Sequence, residues 1–197
     1  MNTKLYAWAG ALLIAVGSVS NCPAAEVAKP ESDAAKPATA PPFEIGQQAP
    51  VFKIKDANGQ EIDLQKLTAK GPVLVRLTCG CSGCDKELAY FQTLHEAYKD
   101  KGLTSLAVFK EPDAKVEEYV KQKKLQMLYA VDSEGSSWTT FHTTTMPTNF
   151  LIEKGGKIKA IAAGCDPSGL IAKKLAEKVA GLVEATAEGA KAPEPKK

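Results

Sequence analysis

Hydrophobic and polar residues alternate along this chain with periods that mark out its elements. Val51–Lys55 and Gln60–Leu64 alternate on either side of Asp56-Ala57-Asn58-Gly59, which predicts a β-hairpin. Val73–Leu77 is a short apolar run suited to a central strand covered on both faces. Leu88, Phe91, His95 and Tyr98 then recur at helical spacing, and Gly102 closes that helix. Leu103–Phe109 reads as a strand, and Asp113 opens a helix with Val116, Tyr119 and Val120 on one side. Leu128–Val131 is a further strand, followed by a short helix around Trp138. Thr148–Glu153 and Lys157–Ala163 form a hairpin across Gly155-Gly156. A last helix starts near Pro167 and carries Leu170, Ile171, Leu175 and Val179. Strands separated by helices, ending in a hairpin and a helix, predict an α/β fold. It should have three layers, with a mixed central sheet, helices on both faces and an N-terminal β-hairpin.

The two ends break this pattern. Lys4, an apolar run from Leu5 to Val19 and small residues through Ala25 read as a secretory signal over residues 1–25. The run falls short of the ~20 residues that a spanning helix needs. Val19-Ser20-Asn21-Cys22 resembles a lipobox, which makes Cys22 a candidate lipidation site, although Asn21 departs from the small residue usual there. Residues 26–42 are rich in Ala, Pro and Lys with almost nothing to bury, and form a linker. Residues 184–197 are expected to be a disordered tail, so that 43–183 form the domain. Its ~140 residues suffice for an independent core. Both export routes lead out of the cytosol, to the periplasm or the outer face of a bacterial membrane, where disulfides persist.

A net charge of +2 and a single arginine, Arg76, argue against nucleic acid as a partner. The chemistry lies elsewhere. Cys81-Ser82-Gly83-Cys84 falls where the central strand ends and the first long helix begins. A helix N-terminus offers unpaired N–H groups and the positive end of its dipole, and both stabilise a thiolate. Two-residue spacing lets the second thiol resolve a mixed disulfide made by the first, so the motif is a redox signal. Half a zinc site or a static disulfide would use the same residues, but no second CxxC or His pair at ligand spacing accompanies them. Glu87 lies one helical turn past Cys84 on the same face. Spacing alone also suits a solvated surface glutamate there.

With these residues in order, the chain resembles the TlpA/ResA-like extracytoplasmic thioredoxin-fold redoxins. Gly46-Gln47-Gln48-Ala49-Pro50-Val51-Phe52 with Asp56, Gly59 and Leu64 matches the family's first hairpin. Gly71-Pro72-Val73-Leu74-Val75 matches the strand leading to CxxC, and Cys84-Asp85-Lys86-Glu87 the C-x-x-E. Met146-Pro147-Thr148-Asn149-Phe150-Leu151-Ile152 matches the segment that carries a cis-proline opposite the cysteines. The resemblance implies a thiol–disulfide oxidoreductase with no cofactor, acting as a reductase. It implies Cys81 and Cys84 as catalytic pair, Glu87 as an active-site carboxylate able to act as general base or acid for the buried cysteine, and Met146 and Pro147 as substrate contacts. The implied substrates are disulfide-bearing exported proteins, apocytochrome c among them, with a membrane thiol carrier as electron donor.

Three positions depart from the relatives. Gly80 stands where they have Trp, Val75 where thioredoxins keep a buried Asp, and Gly83 where Pro is common. Two more cysteines, Cys79 and Cys165, are expected near the site as a second disulfide or as extra exchange partners. Two rival readings remain. The thiols of Cys79, Cys81, Cys84 and Cys165 would suit Cu(I), although copper-delivery proteins of this fold use CxxxC and a distant His. Thr78-x-x-Cys81 echoes the T-x-x-C of thiol peroxidases, but Leu74 occupies the place of their proline.

Overall fold

The computed structural model describes residues 42–190, with side chains through 186. The expected signal, Cys22 and nearly all of the expected linker lie outside these residues. The first hairpin pairs β1 (Lys53–Lys55) with β2 (Glu61–Asp63), and α1 (Leu64–Lys70) follows at once. The main sheet comprises β3 (Val73–Thr78), β4 (Thr104–Phe109), β5 (Leu128–Val131), β6 (Thr148–Ile152) and β7 (Ile158–Ala163). Its order is β5-β4-β3-β6-β7. β3, β4 and β5 run parallel, whereas β6 and β7 are antiparallel to their neighbours. The helices are α2 (Ser82–Tyr98), α3 (Asp113–Lys123), α4 (Ser136–Thr140) and α5 (Leu170–Ala190).

All six residues of β3 are buried, and their alternation sorts the two cores. Val73, Val75 and Leu77 pack with Phe52, Leu64, Trp138, Phe141 and Phe150, under the hairpin, α1 and α4. Leu74 faces the other way, onto Leu88, Phe91 and Leu94 of α2 and Leu175 and Val179 of α5. Val116 and Tyr119 of α3 cover Ala107 and Phe109 of β4. The result is the three-layer mixed sheet that the periodicity predicts. Parallel strands force helical crossovers, which carry α2 and α3 back along the sheet. Just ahead of β3 the chain passes so close to Gly102 that a Cβ on Gly71 would collide with the Gly102 carbonyl.

Two elements differ from the sequence reading. α1 was not expected, since Gln60–Leu64 reads as a strand; Asp63 caps the helix by accepting the N–H groups of Gln65 and Lys66. The boundary expected at 183 falls inside α5, which continues to Ala190. Alanine is the best helix former, and no proline interrupts this stretch before Pro193.

Phe150 is 2% exposed and packs against Phe141 at a ring separation of 4.9 Å. Phe150→Ala is expected to cost about 3–5 kcal/mol through lost transfer energy and the cavity left behind. Urea denaturation would register this as a lower midpoint at unchanged slope.

Candidate active site

Three segments converge at the C-terminal end of β3. The first is the strand's own continuation, Cys79-Gly80-Cys81, which runs into α2 with Cys81 at the N-cap. The second precedes β6: Leu77 pairs with Thr148, so the register carried forward sets Pro147 beside Thr78. The Met146–Pro147 peptide is cis, as the family resemblance implies. The third follows β7, where Gly164 donates its N–H to the Pro147 carbonyl at 2.8 Å and Cys165 comes next.

Cys81 is exposed and Cys84 is buried, with their sulfurs 3.3 Å apart. Cys79, half-buried, also lies 3.3 Å from the Cys84 sulfur. All four described cysteines are free thiols. Cys165, expected beside Cys79, is not one of the three sulfurs that lie within 4.8 Å of one another. Cys79 instead faces Cys84, while Cys165 lies over Gly83, where an added Cβ would come within 3.2 Å of its sulfur. The glycine at this point of the motif makes room for that fourth thiol.

Hydrogen bonding from the Cys79 thiol and the backbone N–H groups of Cys84 and Gly83 holds the Cys81 pKa below that of an ordinary cysteine. Burial pushes the Cys79 thiol up, and its hydrogen bond to Cys81 adds to the rise. Burial also raises Cys165, helped by the nearby charge of Glu87. Of these three thiols Cys81 alone is shifted toward the thiolate, and it is exposed to solvent.

Glu87 is 1% exposed and forms an ion pair with Arg76 at 2.9 Å. Its other oxygen accepts the Asp166 N–H at 2.6 Å. Arg76 also donates to Asn149 at 3.0 Å and to the Cys84 carbonyl at 3.4 Å, and its guanidinium lies 4.2 Å from the Phe91 ring centre. The sequence singles out both Arg76 and Glu87 but does not join them. Asn149, which the sequence offers only as one member of the cis-proline segment, is paired with Arg76 in the sheet register.

The cleft beside Cys81 encloses about 180 Å³ between Gly80, Phe109, Glu111, Lys115, Val116 and Tyr119. Gly80 supplies no aromatic lid, but the Tyr119 ring of α3 stands 3.6 Å from where a Cβ on Gly80 would be. Tyr119 donates to Asp85 at 3.0 Å, and Lys123 pairs with the same carboxylate at 2.9 Å. Glu111 accepts the Gly80 N–H at 3.0 Å and so pins the turn between Cys79 and Cys81. The sequence places Tyr119 only on one side of a helix and gives no sign of Glu111, since neither belongs to a motif. The Thr78 hydroxyl turns to the Cys79 carbonyl at 3.3 Å. His142 stacks on Phe43 at 4.6 Å.

The AhpC/TSA family profile matches residues 45–161. A thiol-disulfide oxidoreductase ResA from Bacillus thuringiensis subsp. konkukian is 37% identical over 117 residues, 59% of this chain and 68% of the relative. A thiol:disulfide interchange protein DsbE from Chlorobium tepidum has the same fold, with a TM-score of 0.65 at 22% identity, covering 72% of this chain and 99% of that one. StoA from Bacillus subtilis superposes with a TM-score of 0.54 at 26% identity, over 66% of this chain and 98% of its own. Fold and relatives together define a thioredoxin-fold thiol–disulfide oxidoreductase. The chain belongs to the AhpC/TSA redoxin family, as a relative of its ResA-type members.

Removing one member of a buried ion pair strands the other, so Glu87→Ala is expected to lose about 3–5 kcal/mol of stability. Arg76→Met combined with Glu87→Leu should lose less than Glu87→Ala, and chemical denaturation of the variants would show it. Alkylation tests the thiols. In metal-free reduced protein the reaction of Cys81 should fall away only below the pH at which an ordinary thiol, of pKa about 8.5, stops reacting. Cys79→Ala should move that midpoint upward, because it removes the main hydrogen bond to the thiolate; mass-mapped alkylation rates against pH give the answer.

Proposed function

We propose that this protein reduces disulfides in exported proteins, with Cys81 as nucleophile and Cys84 as resolving thiol. The observation that carries the proposal is an exposed sulfur at a helix N-terminus with a buried sulfur 3.3 Å behind it. The Cys81 thiolate attacks one sulfur of a substrate disulfide, and the other substrate sulfur leaves as a thiolate. Cys84, deprotonated, then attacks the Cys81 sulfur, closes the Cys81–Cys84 disulfide and releases the second substrate thiolate. Two electrons pass from the dithiol to the substrate, whose thiolates take up the two protons.

Glu87 serves Cys84 as proton acceptor. Its carboxylate has about four acceptor positions, so its bonds to Arg76 and to the Asp166 N–H leave room for another. Met146 and Pro147 offer backbone to an extended substrate segment, in the manner of strand addition. The apolar leader and Pro-rich linker support a place in the periplasm or on the outer face of a bacterial membrane, with Cys22 as the lipid anchor. Substrates in that setting are exported proteins, apocytochrome c among them, and a membrane thiol carrier returns the electrons.

Insulin reduction provides the test. Cys81→Ser should lower the rate by roughly a hundredfold or more. Cys84→Ser should accumulate a mixed disulfide on Cys81, visible by mass mapping. A Cys81→Ser protein that still reduced insulin at the wild-type rate would overturn the assignment.

A further inference from the structure

A dithiol enzyme needs two sulfurs, and this site holds three in contact. The sulfurs of Cys79, Cys81 and Cys84 all lie within 4.8 Å of one another, with two of the separations at 3.3 Å. Exchange through Cys81 and Cys84 leaves Cys79 without a task. We propose that the reduced protein binds one Cu(I) ion through the thiolates of Cys79, Cys81 and Cys84.

The geometry suits a three-coordinate ion. Metal–thiolate bonds of about 2.3 Å place the sulfurs of a planar trigonal site about 4 Å apart, inside the 4.8 Å span of the three sulfurs. Small side-chain rotations complete the triangle. The donor set selects the metal: among the described residues, the three ligand atoms gathered within 4.8 Å of one another are all sulfur. Soft thiolates favour Cu(I), whereas structural zinc requires a fourth protein ligand. The frame is already in place. Glu111 holds the Gly80 N–H, and the Cys81 carbonyl accepts the Asp85 N–H at 2.9 Å, so the middle and the Cys81 end of the Cys79–Cys81 turn are fixed before metal arrives. Cys84 closes the site from the interior and Cys81 leaves it open to solvent for entry. The unpaired N–H groups of the α2 N-terminus offset the negative charge of the cluster. Cys165 stands apart from this triangle, over Gly83.

Binding releases into solvent whatever protons the three sulfurs carry and leaves copper and sulfur in their original oxidation states. The site does not depend on the exchange reading, since a metal ligand need not be a nucleophile. It nevertheless competes with exchange, because a Cys81–Cys84 disulfide consumes two of the three ligands.

The test is titration of the reduced full-length chain with Cu(I) under argon, in competition with a colorimetric Cu(I) chelator. One equivalent should be retained. Cys79→Ser should weaken binding by about a hundredfold, while Cys165→Ser should leave it unchanged. X-ray absorption of the wild-type complex should show three sulfur neighbours, a result that does not rely on any variant folding. Two sulfur neighbours, or a Cys79→Ser protein that binds as tightly as the wild type, would reduce the site to the CxxC pair and overturn the proposal. So would a Cys165→Ser protein that loses as much affinity as Cys79→Ser, or failure of the wild type to hold copper against the chelator. Insulin reduction by the metal-free preparation reports separately on exchange.

Discussion

An arginine in the middle of a fully buried strand must find its counter-charge inside the fold, because water cannot reach it. Here Arg76 finds Glu87, and the pair is joined by the Asn149 side chain, the Cys84 carbonyl and the face of Phe91. Desolvating both charges is costly, and their attraction repays that cost only when the remaining hydrogen-bonding groups are also met. Meeting them ties β3, β6, the first turns of α2 and the start of the segment after β7 to one centre. The thiols are held at the mouth of that arrangement. Their spacing is therefore a property of the ion pair as well as of the CxxC motif.

The order of strands and helices was legible because each core element writes its own period. The Val73, Val75, Leu77 face and the Leu88, Phe91, His95 stripe could each be assigned without a partner. α1 was not legible, since its seven residues give barely two turns and follow directly on a strand. The end of α5 was also hidden, because Ala- and Glu-rich residues suit a solvated helix and a disordered tail equally well by composition. Among the site residues, Cys81, Cys84, Glu87 and Pro147 stand in local motifs and could be named. The partnership of Arg76 with Glu87 spans eleven residues and a change from strand to helix, so spacing rules for a single element could not supply it.

The same limit explains Tyr119 and Cys79. Relatives place an aromatic residue next to the motif in sequence, whereas this chain places one there in space, from a helix more than thirty residues away. Cys79 sits on the strand side of the turn and was expected to look toward Cys165. The approach of Cys165 to Gly83 settles that thiol above the first turn of α2, and Cys79 closes on Cys84 instead. In a cluster this dense the identity of a partner depends on which way a turn rolls, and the hydrogen bond from Gly80 to Glu111 sets that roll.

Tyr119 and Lys123 both grip Asp85, the residue directly after the buried cysteine. The wall of the cleft and the resolving thiol therefore share one mooring. A bulky surface pressed into the cleft would push α3 outward and drag on the first turn of α2, disturbing the alignment that exchange needs. Any displacement of α3 is thereby felt at Cys84 through a single carboxylate, so wall and thiol move as one lever.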